Sequence, residues 1–484
     1  MLLLFALLCS ACAVNPVSKH SEFVMMSEDQ ELQLGQQMAA KFAKELPLLL
    51  ATDPLAQYVD RVGQKVAAHA DRPELIYRFH VVDDDTINAF ALPGGYIYIY
   101  RGLLNRLNSE SELAAVLGHE IGHVTARHAV QRYTKIQSYQ LGMVVASIFV
   151  PGVQAAGGLT DLLAGAVVQG YGRKDESQAD QLSIKYITAA GYDPYATVQL
   201  LKTLKRVEAL DVAEKRAAGD QAVVYHGAFA SHPKTGERIK DAAVTLGGSN
   251  DASASVINPV TDHALMLDQL SGQPYAGSVV DGAVVGQRFI HPQLGVALQF
   301  PDGWVIHNGR TALAARVRRQ KVYFQMSRLQ LAKHRTAEAL LEKLVPKRRI
   351  RGEVTHGRRA GRQWARAQVD LSQPHVSEAR VDFSVWVLGG HALLIAMWCP
   401  RSEIDRWQGQ FNAIISSFHA YRQDLDGTIP RIDLARWKVG DSWQRFADQS
   451  KQSLGPMTAA HLAVLNGFDV GTAPSVGYLI KLVR

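Results

Sequence analysis

The chain has little cysteine, and this excludes one class of fold. Its 484 residues include three cysteines, Cys9, Cys12 and Cys399, and the first two lie in an apolar N-terminal stretch. Cys399 alone cannot build a disulfide framework. The chain is therefore not a disulfide-stapled domain, although export without disulfides is compatible with this count.

Long apolar runs are also scarce. Residues 141–158 are almost wholly apolar or small, and Asp161 is the one charged residue from Ile136 to Gly172. A Pro-Gly pair at 151–152 interrupts this run, so neither half reaches the roughly 20 residues that a bilayer-spanning helix needs. The pattern favours a buried helical hairpin over a membrane span, and an interfacial or re-entrant segment is the alternative. The sequence has no helical repeat array, so a tetratricopeptide-type docking surface is not supported.

The composition is that of a folded protein with two or three domains. Hydrophobic residues make up 47% of the chain and charged residues 20%, which is enough apolar material to build sizeable cores. The formal net charge is +7, and residues 310–366 contain 17 Lys or Arg against three acidic residues. This stretch predicts an anionic partner surface, such as phospholipid, lipopolysaccharide or cell-wall polymer. An exported chain has no reason to bind nucleic acid.

The N-terminus has the features of an export signal. Residues 1–12 form a short apolar run that ends in Ser10, Ala11 and Cys12. The ending resembles the lipobox of bacterial lipoproteins, which implies cleavage before Cys12 and lipidation of that cysteine. By the same resemblance, Ala13 favours the outer membrane. The alternative is a short buried N-terminal helix.

A capped helix carries the strongest chemical motif. Ser109 and Glu112 have the spacing of a capping box, and His119, Glu120 and His123 follow on the same predicted helix. Residues four apart lie on one helical face, so both imidazoles can bind a single Zn²⁺. Glu120 would then act as general base toward a water that zinc activates.

A catalytic zinc site needs a third protein ligand. Glu176 and Asp180 lie one turn apart at the start of another predicted helix. We expect Glu176 to bind the metal and Asp180 to orient a ligating histidine. The alternative is a solvated acidic helix start. His128 is interpreted as structural or at the surface, because a helix continuing from His119 would place it on the opposite side.

The order of these motifs resembles metallopeptidase family M48, the HtpX and CaaX-prenyl-protease type, and its periplasmic lipoprotein branch. The resemblance covers residues 13–245 and includes the stretches at 88–95, 118–127 and 231–238 and an Asn-Pro-Val-Ser-Lys segment at 15–19. It implies a mainly helical, zincin-like (gluzincin) α+β domain with a small β-sheet and one zinc ion per chain.

The resemblance also implies residues around the cleft. His232 and Arg238 would border it: either side chain would stabilise the tetrahedral oxyanion, or His232 would approach the open zinc position and hold the enzyme latent. The alternative for His232 is a loop histidine packed on Pro233. An edge strand at Tyr96–Tyr100 would bind extended substrates by strand addition. The predicted substrate-binding residues are Asn88, Ala89, Phe90, Tyr96, Ile97 and Tyr98.

The chain is predicted to contain five segments. A signal at 1–12 precedes a peptidase domain at 13–246, a linker at 247–285 and a small α+β domain at 286–422. Residues 430–484 resemble a LysM module, which implies peptidoglycan binding; the alternative is a small α/β cap used for protein contacts.

The expected function is that of a zinc endopeptidase acting on misfolded or unassembled envelope proteins. The expected location is the bacterial cell envelope, facing the periplasm, as an outer-membrane lipoprotein. Two alternatives are an envelope chaperone or assembly factor with a mostly latent metal site, and a scaffold bound to peptidoglycan.

Overall fold

A computed structural model describes residues 12–14, 16–17, 19, 21–135, 137, 170–217, 232, 235–247, 259–330, 336–345, 347–359, 361–454 and 457–484. These form two compact units. The first comprises Met1–Gln273, Ile432–Ala447 and Thr458–Leu482, and the second comprises Pro274–Arg431, Asp448–Met457 and Val483–Arg484. Residues 1–11 of the predicted signal at 1–12, nearly all of the apolar segment at 141–172, and residues 248–258 of the predicted linker at 247–285 lie outside the described residues.

The first unit is mainly helical. Its elements up to residue 270 include β1 (Cys12–Val14), β2 (Ser21–Phe23), α1 (Glu28–Glu45), α2 (Pro54–Ala67), β3 (Arg78–Val82), β4 (Ala89–Leu92), β5 (Tyr96–Tyr100), α3 (Arg101–Leu104), α4 (Glu110–Thr125), α5 (Arg173–Ala189), α6 (Ala196–Ala217), α7 (Thr235–Thr245) and α8 (Pro259–Leu270). None of the described helices is long and apolar enough to span a bilayer.

Local signals determine where the helices of this unit begin. The Ser27 hydroxyl accepts a hydrogen bond from the Gln30 N–H, and the Asp53 carboxylate accepts from the Leu55 N–H. Ser109 caps α4 in the same way by accepting from the Glu112 N–H. A capping box would have the Glu112 carboxylate accept from the Ser109 N–H. It accepts instead from the N–H of the preceding residue, Asn108, at 2.8 Å.

The small sheet corrects one prediction. Its strand order is β3-β5-β4, with β3 parallel and β4 antiparallel to β5. Tyr96–Tyr100 is therefore the central strand and not an edge, because its backbone groups bond to a strand on each side. Within this sheet the two edges are β3 and β4.

The second unit combines two sheets and helices around a core. Its elements are β6 (Ala283–Val285), β7 (Arg288–His291), β8 (Val296–Gln299), β9 (Trp304–Asn308), β10 (Ala312–Val317), β11 (Tyr323–Gln330), α9 (Ala337–Leu344), β12 (Ile350–Arg359), β13 (Arg362–Gln373), β14 (Val376–Leu388), β15 (His391–Pro400), α10 (Ile404–Ser417), β16 (His419–Ala420) and α11 (Gln423–Asp426).

The strands of the second unit form a seven-stranded sheet, β12-β13-β14-β15-β11-β10-β9, and a four-stranded sheet, β16-β8-β7-β6. One face of the larger sheet packs with β7, β8 and α10 in a core that includes Phe289, Phe324 and Phe411. The other face packs against α9. The predicted α+β class is confirmed for the chain.

The last elements are β17 (Ile432–Arg436), α12 (Trp443–Leu454), α13 (Ala459–Leu465) and β18 (Leu479–Val483), and β17 pairs with β18. Residues 432–447 and 458–482 belong to the same compact unit as α4, the helix that carries His119 and His123. The buried Lys481 ammonium donates to the Asn105 and Leu107 carbonyls at 2.9 and 2.7 Å. The LysM-like character of residues 430–484 stays a prediction.

Candidate active site

Two helices bring the predicted ligands together. His119 and His123 lie on α4, and Glu176 and Asp180 lie on α5. Glycines allow the two helices to approach closely. A Cβ added at Gly122 would lie 3.1 Å from the Ala179 carbonyl oxygen, tighter than ordinary van der Waals contact.

Four buried side chains converge on one point. The His119, His123, Glu176 and His232 ligand atoms all lie within 4.8 Å of one another. The two imidazole Nε2 atoms of α4 are 3.0 Å apart, and each lies 3.5–3.6 Å from a Glu176 oxygen. Glu176, the predicted third ligand, therefore lies beside the imidazoles of both His119 and His123.

His232 occupies the remaining side of this cluster. Its Nδ1 lies 2.9 Å from Glu176 Oε1 and 3.2 Å from His119 Nε2. Its Nε2 lies 3.6 Å from Glu120 Oε1. The position is that of a fourth donor atom, next to the carboxylate predicted to act as base.

The donor set fits a divalent cation. His119 Nδ1 lies 2.9 Å from the Asp180 carboxylate, which can only accept, so the proton is on Nδ1 and Nε2 presents a lone pair. Burial lowers the pKa of His123 well below its usual value, so this ring is neutral. Two imidazole nitrogens and a carboxylate are the ligands of many catalytic zinc sites. His119, His123 and Glu176 would hold the ion.

The Glu120 carboxyl is buried beside the proposed metal ligands, and one of its oxygens, Oε2, has no hydrogen-bond partner among the described residues. Burial raises the pKa of the Glu120 carboxyl, and the interaction with the nearby His232 opposes that shift. A buried carboxyl with an unpaired oxygen and a raised pKa is suited to taking up and releasing a proton.

A buried ion-pair network holds the ligands in place. The Arg238 guanidinium donates through Nε and Nη2 to the two Asp180 oxygens at 2.8 and 2.7 Å, and Nη1 lies 3.0 Å from Glu176 Oε2. Burial alone would raise the pKa of Asp180, but the charge and hydrogen bonds of Arg238 outweigh it and lower that pKa to about 2. The pKa of Glu176 is likewise held well below its usual range against burial, by His232 and Arg238.

The structure adds side chains that the sequence did not indicate. His128 is buried, and its Nδ1 lies 2.8 Å from His123 Nδ1 while its Nε2 lies 3.0 Å from Gln178 Oε1. Tyr171 stacks on the His123 ring at 4.0 Å between centroids. Of the two interpretations of His128, structural or at the surface, the buried position fits the structural one, and the surface one was wrong because α4 ends at Thr125. Arg127, at φ 57°, then turns the chain back toward the site.

The predicted substrate-binding residues divide between two strands. Asn88 precedes β4, Ala89 and Phe90 lie on β4, and Tyr96, Ile97 and Tyr98 lie on β5. Ala89 lines a pocket shared with His119 and Glu120. Tyr98 instead stacks on Phe90 at 4.8 Å inside an apolar cluster. Of these residues, Ala89 is the one that lines this pocket.

The basic stretch at 310–366 is partly neutralised within the second unit. Lys347 pairs with Glu342, Arg351 with Asp370, and Arg366 with the buried Asp382. The surface charge available to an anionic polymer is therefore smaller than the count of basic residues indicates.

Comparison with known proteins identifies one family and several relatives of this chain. Residues 54–245 match the family described as Peptidase family M48. The "Beta-barrel assembly-enhancing protease" of Yersinia pestis is 33% identical over 37% of this chain and 38% of its own length. The protein of that name in Escherichia coli (strain K12) is 30% identical over 45% and 44%. The "Mitochondrial metalloendopeptidase OMA1" of Schizosaccharomyces pombe is 32% identical over 46% and 64%.

These matches cover limited parts of the relatives. The chain spans less than half the length of the two bacterial proteins. Among solved structures, it covers 98% of a cyanobacterial PsbP from Synechocystis sp. PCC 6803, at 13% identity and a TM-score of 0.23. That score is too low to support a conclusion about fold or function.

Proposed function

Because residues 54–245 form a peptidase family M48 domain, we propose that this chain is a zinc-dependent endopeptidase with its metal held by His119, His123 and Glu176. The convergence of these three buried ligands from two helices carries the proposal. When bound, zinc would polarise the scissile carbonyl and make a water molecule more acidic.

Glu120 is the proposed general base. It lies on α4 between the two ligating histidines and has one buried oxygen without a partner. Its carboxylate takes a proton from the attacking water and passes that proton to the leaving amine. The raised pKa favours the first transfer, because a stronger base takes up the proton more readily.

Asp180 and Arg238 are proposed positioning residues. Asp180 fixes the tautomer of His119 through Nδ1. Arg238 braces both Asp180 and Glu176 with charge-assisted hydrogen bonds. Because these bonds engage its Nε and both terminal nitrogens, we place Arg238 behind the ligands and not at the oxyanion.

His232 is proposed to keep the site closed. A catalytic zinc needs an open coordination position, and His232 Nδ1 lies where a fourth ligand would be. Substrate entry would then require His232 to withdraw, after which its ring would be free to stabilise the oxyanion. This closed arrangement also favours the second candidate, an assembly factor whose metal site is mostly latent.

The β4 edge is the proposed site of strand addition. In the antiparallel pair with β5, Asn88 accepts from the Tyr100 N–H. By alternation, the backbone groups of Ala89 and Ala91 face away from β5. Ala89 also lines the pocket that contains Glu120. An extended substrate paired here would pass directly over the proposed base.

The proposed substrates are misfolded or unassembled envelope proteins. Support comes from two relatives named as beta-barrel assembly-enhancing proteases. An extended chain is what strand addition selects, so unfolded polypeptides would be preferred over folded ones. We further propose a periplasm-facing location with a lipid on Cys12.

Cleavage of unfolded casein or an unfolded porin with added zinc tests the activity. Wild type should cleave, and Glu120→Gln should lose at least about 100-fold in rate because general-base catalysis contributes about 10² to 10⁴. Glu208→Gln, a change on α6, is the matched control and should cleave like wild type. Equal turnover by Glu120→Gln would reject the peptidase proposal.

Removing the His232 ring separates its two proposed roles. If this side chain keeps the site closed, His232→Ala should cleave faster than wild type. Slower cleavage would contradict the closing role and leave oxyanion stabilisation as its main contribution. Porin assembly assisted equally by wild type and Glu120→Gln would support the assembly-factor candidate.

A further inference from the structure

A cavity in the second unit has the features of a ligand site, and it is separate from the proposed metal ligands. It has a volume of about 340 Å³ and is lined by residues of β7, β10, β11 and β15 and by the β9–β10 turn. This volume is at the lower end of the roughly 300 to 1,000 Å³ typical of small-molecule pockets. A small ligand or a chain terminus would fit, and a folded partner would not.

The cavity floor is apolar because it is the end of the hydrophobic core. Phe289, Leu313, Met326 and Leu393 line it and are also core residues. Leu313 is directly opposite Met326 in the β10–β11 register. The floor would therefore accept a hydrocarbon or aromatic group.

The same strands become cationic at the cavity mouth. Side chains two residues apart on a strand share a face, so Arg328 lies on the face of Met326 and His391 on the face of Leu393. Arg328 is also opposite Leu393 in the β11–β15 register. On β7, His291 follows Phe289 in the same way. These polar side chains therefore lie on the same faces of their strands as the neighbouring core residues.

Most of these polar groups are hydrogen-bond donors. His391 Nδ1 lies 3.2 Å from Arg328 Nη2, and because a guanidinium only donates, the imidazole proton is on Nε2. His291 Nδ1 accepts from the Leu294 N–H, which leaves its Nε2 as a donor in the neutral ring. Burial and the charge of Arg328 lower the pKa of His291 to about 4, so the ring is neutral at pH 7.

The arginines at the mouth are not neutralised by the protein. In the part of the chain that the structure describes, neither Arg310 nor Arg328 has a carboxylate partner within 4.0 Å. Asp281 is the one acidic residue among the described lining residues. Two guanidinium groups above an apolar floor are complementary to an anionic head on an apolar body.

We propose that this cavity binds a small amphipathic carboxylate, with its head at Arg310, Arg328 and His391 and its apolar tail over Phe289 and Met326. A fatty acid and the last residue of a polypeptide both present this chemistry. The site is independent of the metal ligands, so it stands whether or not the chain is a peptidase.

Calorimetric titration of the full chain with matched ligands tests the proposal. Decanoate and decanol share a tail, and N-acetyl-leucine and N-acetyl-leucinamide share a side chain; within each pair only the first carries a carboxylate. We expect the carboxylate of at least one pair to bind at least about tenfold more tightly than its neutral partner. The pair that shows the larger difference identifies the source. Equal binding within both pairs would overturn the proposal, as would no binding by any of the four.

Variants locate the bound head group. Arg328→Gln should weaken carboxylate binding by about tenfold or more. Arg358→Gln removes the same charge from β12, outside the cavity, and should bind like wild type. Equal affinities in these two variants would contradict the assignment. If Arg328→Gln does not fold, as judged by thermal unfolding, Arg310→Gln at the exposed turn supplies the same comparison, with the same outcomes.

Discussion

Lys481 should stabilise the unit that contains the proposed active site. The residue has 0% relative exposure, and its ammonium donates to two carbonyls in the loop that precedes α4, at Asn105 and Leu107. It also interacts with the charge of the buried Glu112 at the start of α4. Lys481→Met keeps the aliphatic stem and removes these interactions.

The expected loss of stability is large for a single substitution. The pKa of both Glu112 and Lys481 is about 7, so the two groups do not form a full ion pair near neutral pH, and the loss of their attraction adds little to the cost. Each carbonyl left without a donor adds about 1–3 kcal/mol when water cannot reach it. We expect about 3–5 kcal/mol in total, since a loosened loop would admit water.

Hydrogen exchange of α4 and urea unfolding followed by a probe in the first unit would measure this loss. Lys481→Met/Glu112→Gln should recover part of it near pH 7, because the double variant also removes a buried carboxyl that would otherwise have to bind a proton without its lysine neighbour. Lys438→Met, an exposed lysine near the C-terminus, is the control. Unchanged α4 exchange in Lys481→Met would refute the reasoning.

Three further predictions follow from the buried groups. Burial raises the pKa of Glu112 from 4.5 to about 7 and lowers that of Lys481 from 10.5 to about 7; the pair's stability contribution should therefore fall as pH rises from about 5 to 7 and recover toward pH 10. Denaturant midpoints should show this minimum in wild type and lose it in the double variant. Gly122→Ala should lower cleavage and the unfolding midpoint together, since its Cβ would press on the α5 backbone. His128→Ala should weaken zinc affinity about 10- to 100-fold by freeing the His123 ring, as equilibrium dialysis would measure.

The residues of the site were predictable where local geometry determines them. His119 and His123 lie together because helical spacing puts residues four apart on one face, and Ser109 marks where that helix begins. Glu176 and Asp180 follow the same rule on α5. In both helices the sequence determines which side chains share a face.

Tertiary contacts account for what the sequence did not predict. The residue types of Tyr96–Tyr100 predict a strand but do not distinguish an edge strand from a central one. The pairing with β3 makes this strand central. His128 reaches His123 because the helix ends at Thr125 and Arg127 adopts a positive φ, which its residue type does not indicate. The contact of Lys481 with Asn105 joins residues 376 apart, beyond any local pattern.

Anomalous scattering at the zinc edge, from crystals of the zinc-loaded chain, tests the central claim most directly. We predict one ion per chain within about 2.0–2.2 Å of His119 Nε2, His123 Nε2 and a Glu176 oxygen, and no anomalous peak there in Glu176→Gln. An ion bound elsewhere, or a full peak that persists at this position in Glu176→Gln, would contradict the account.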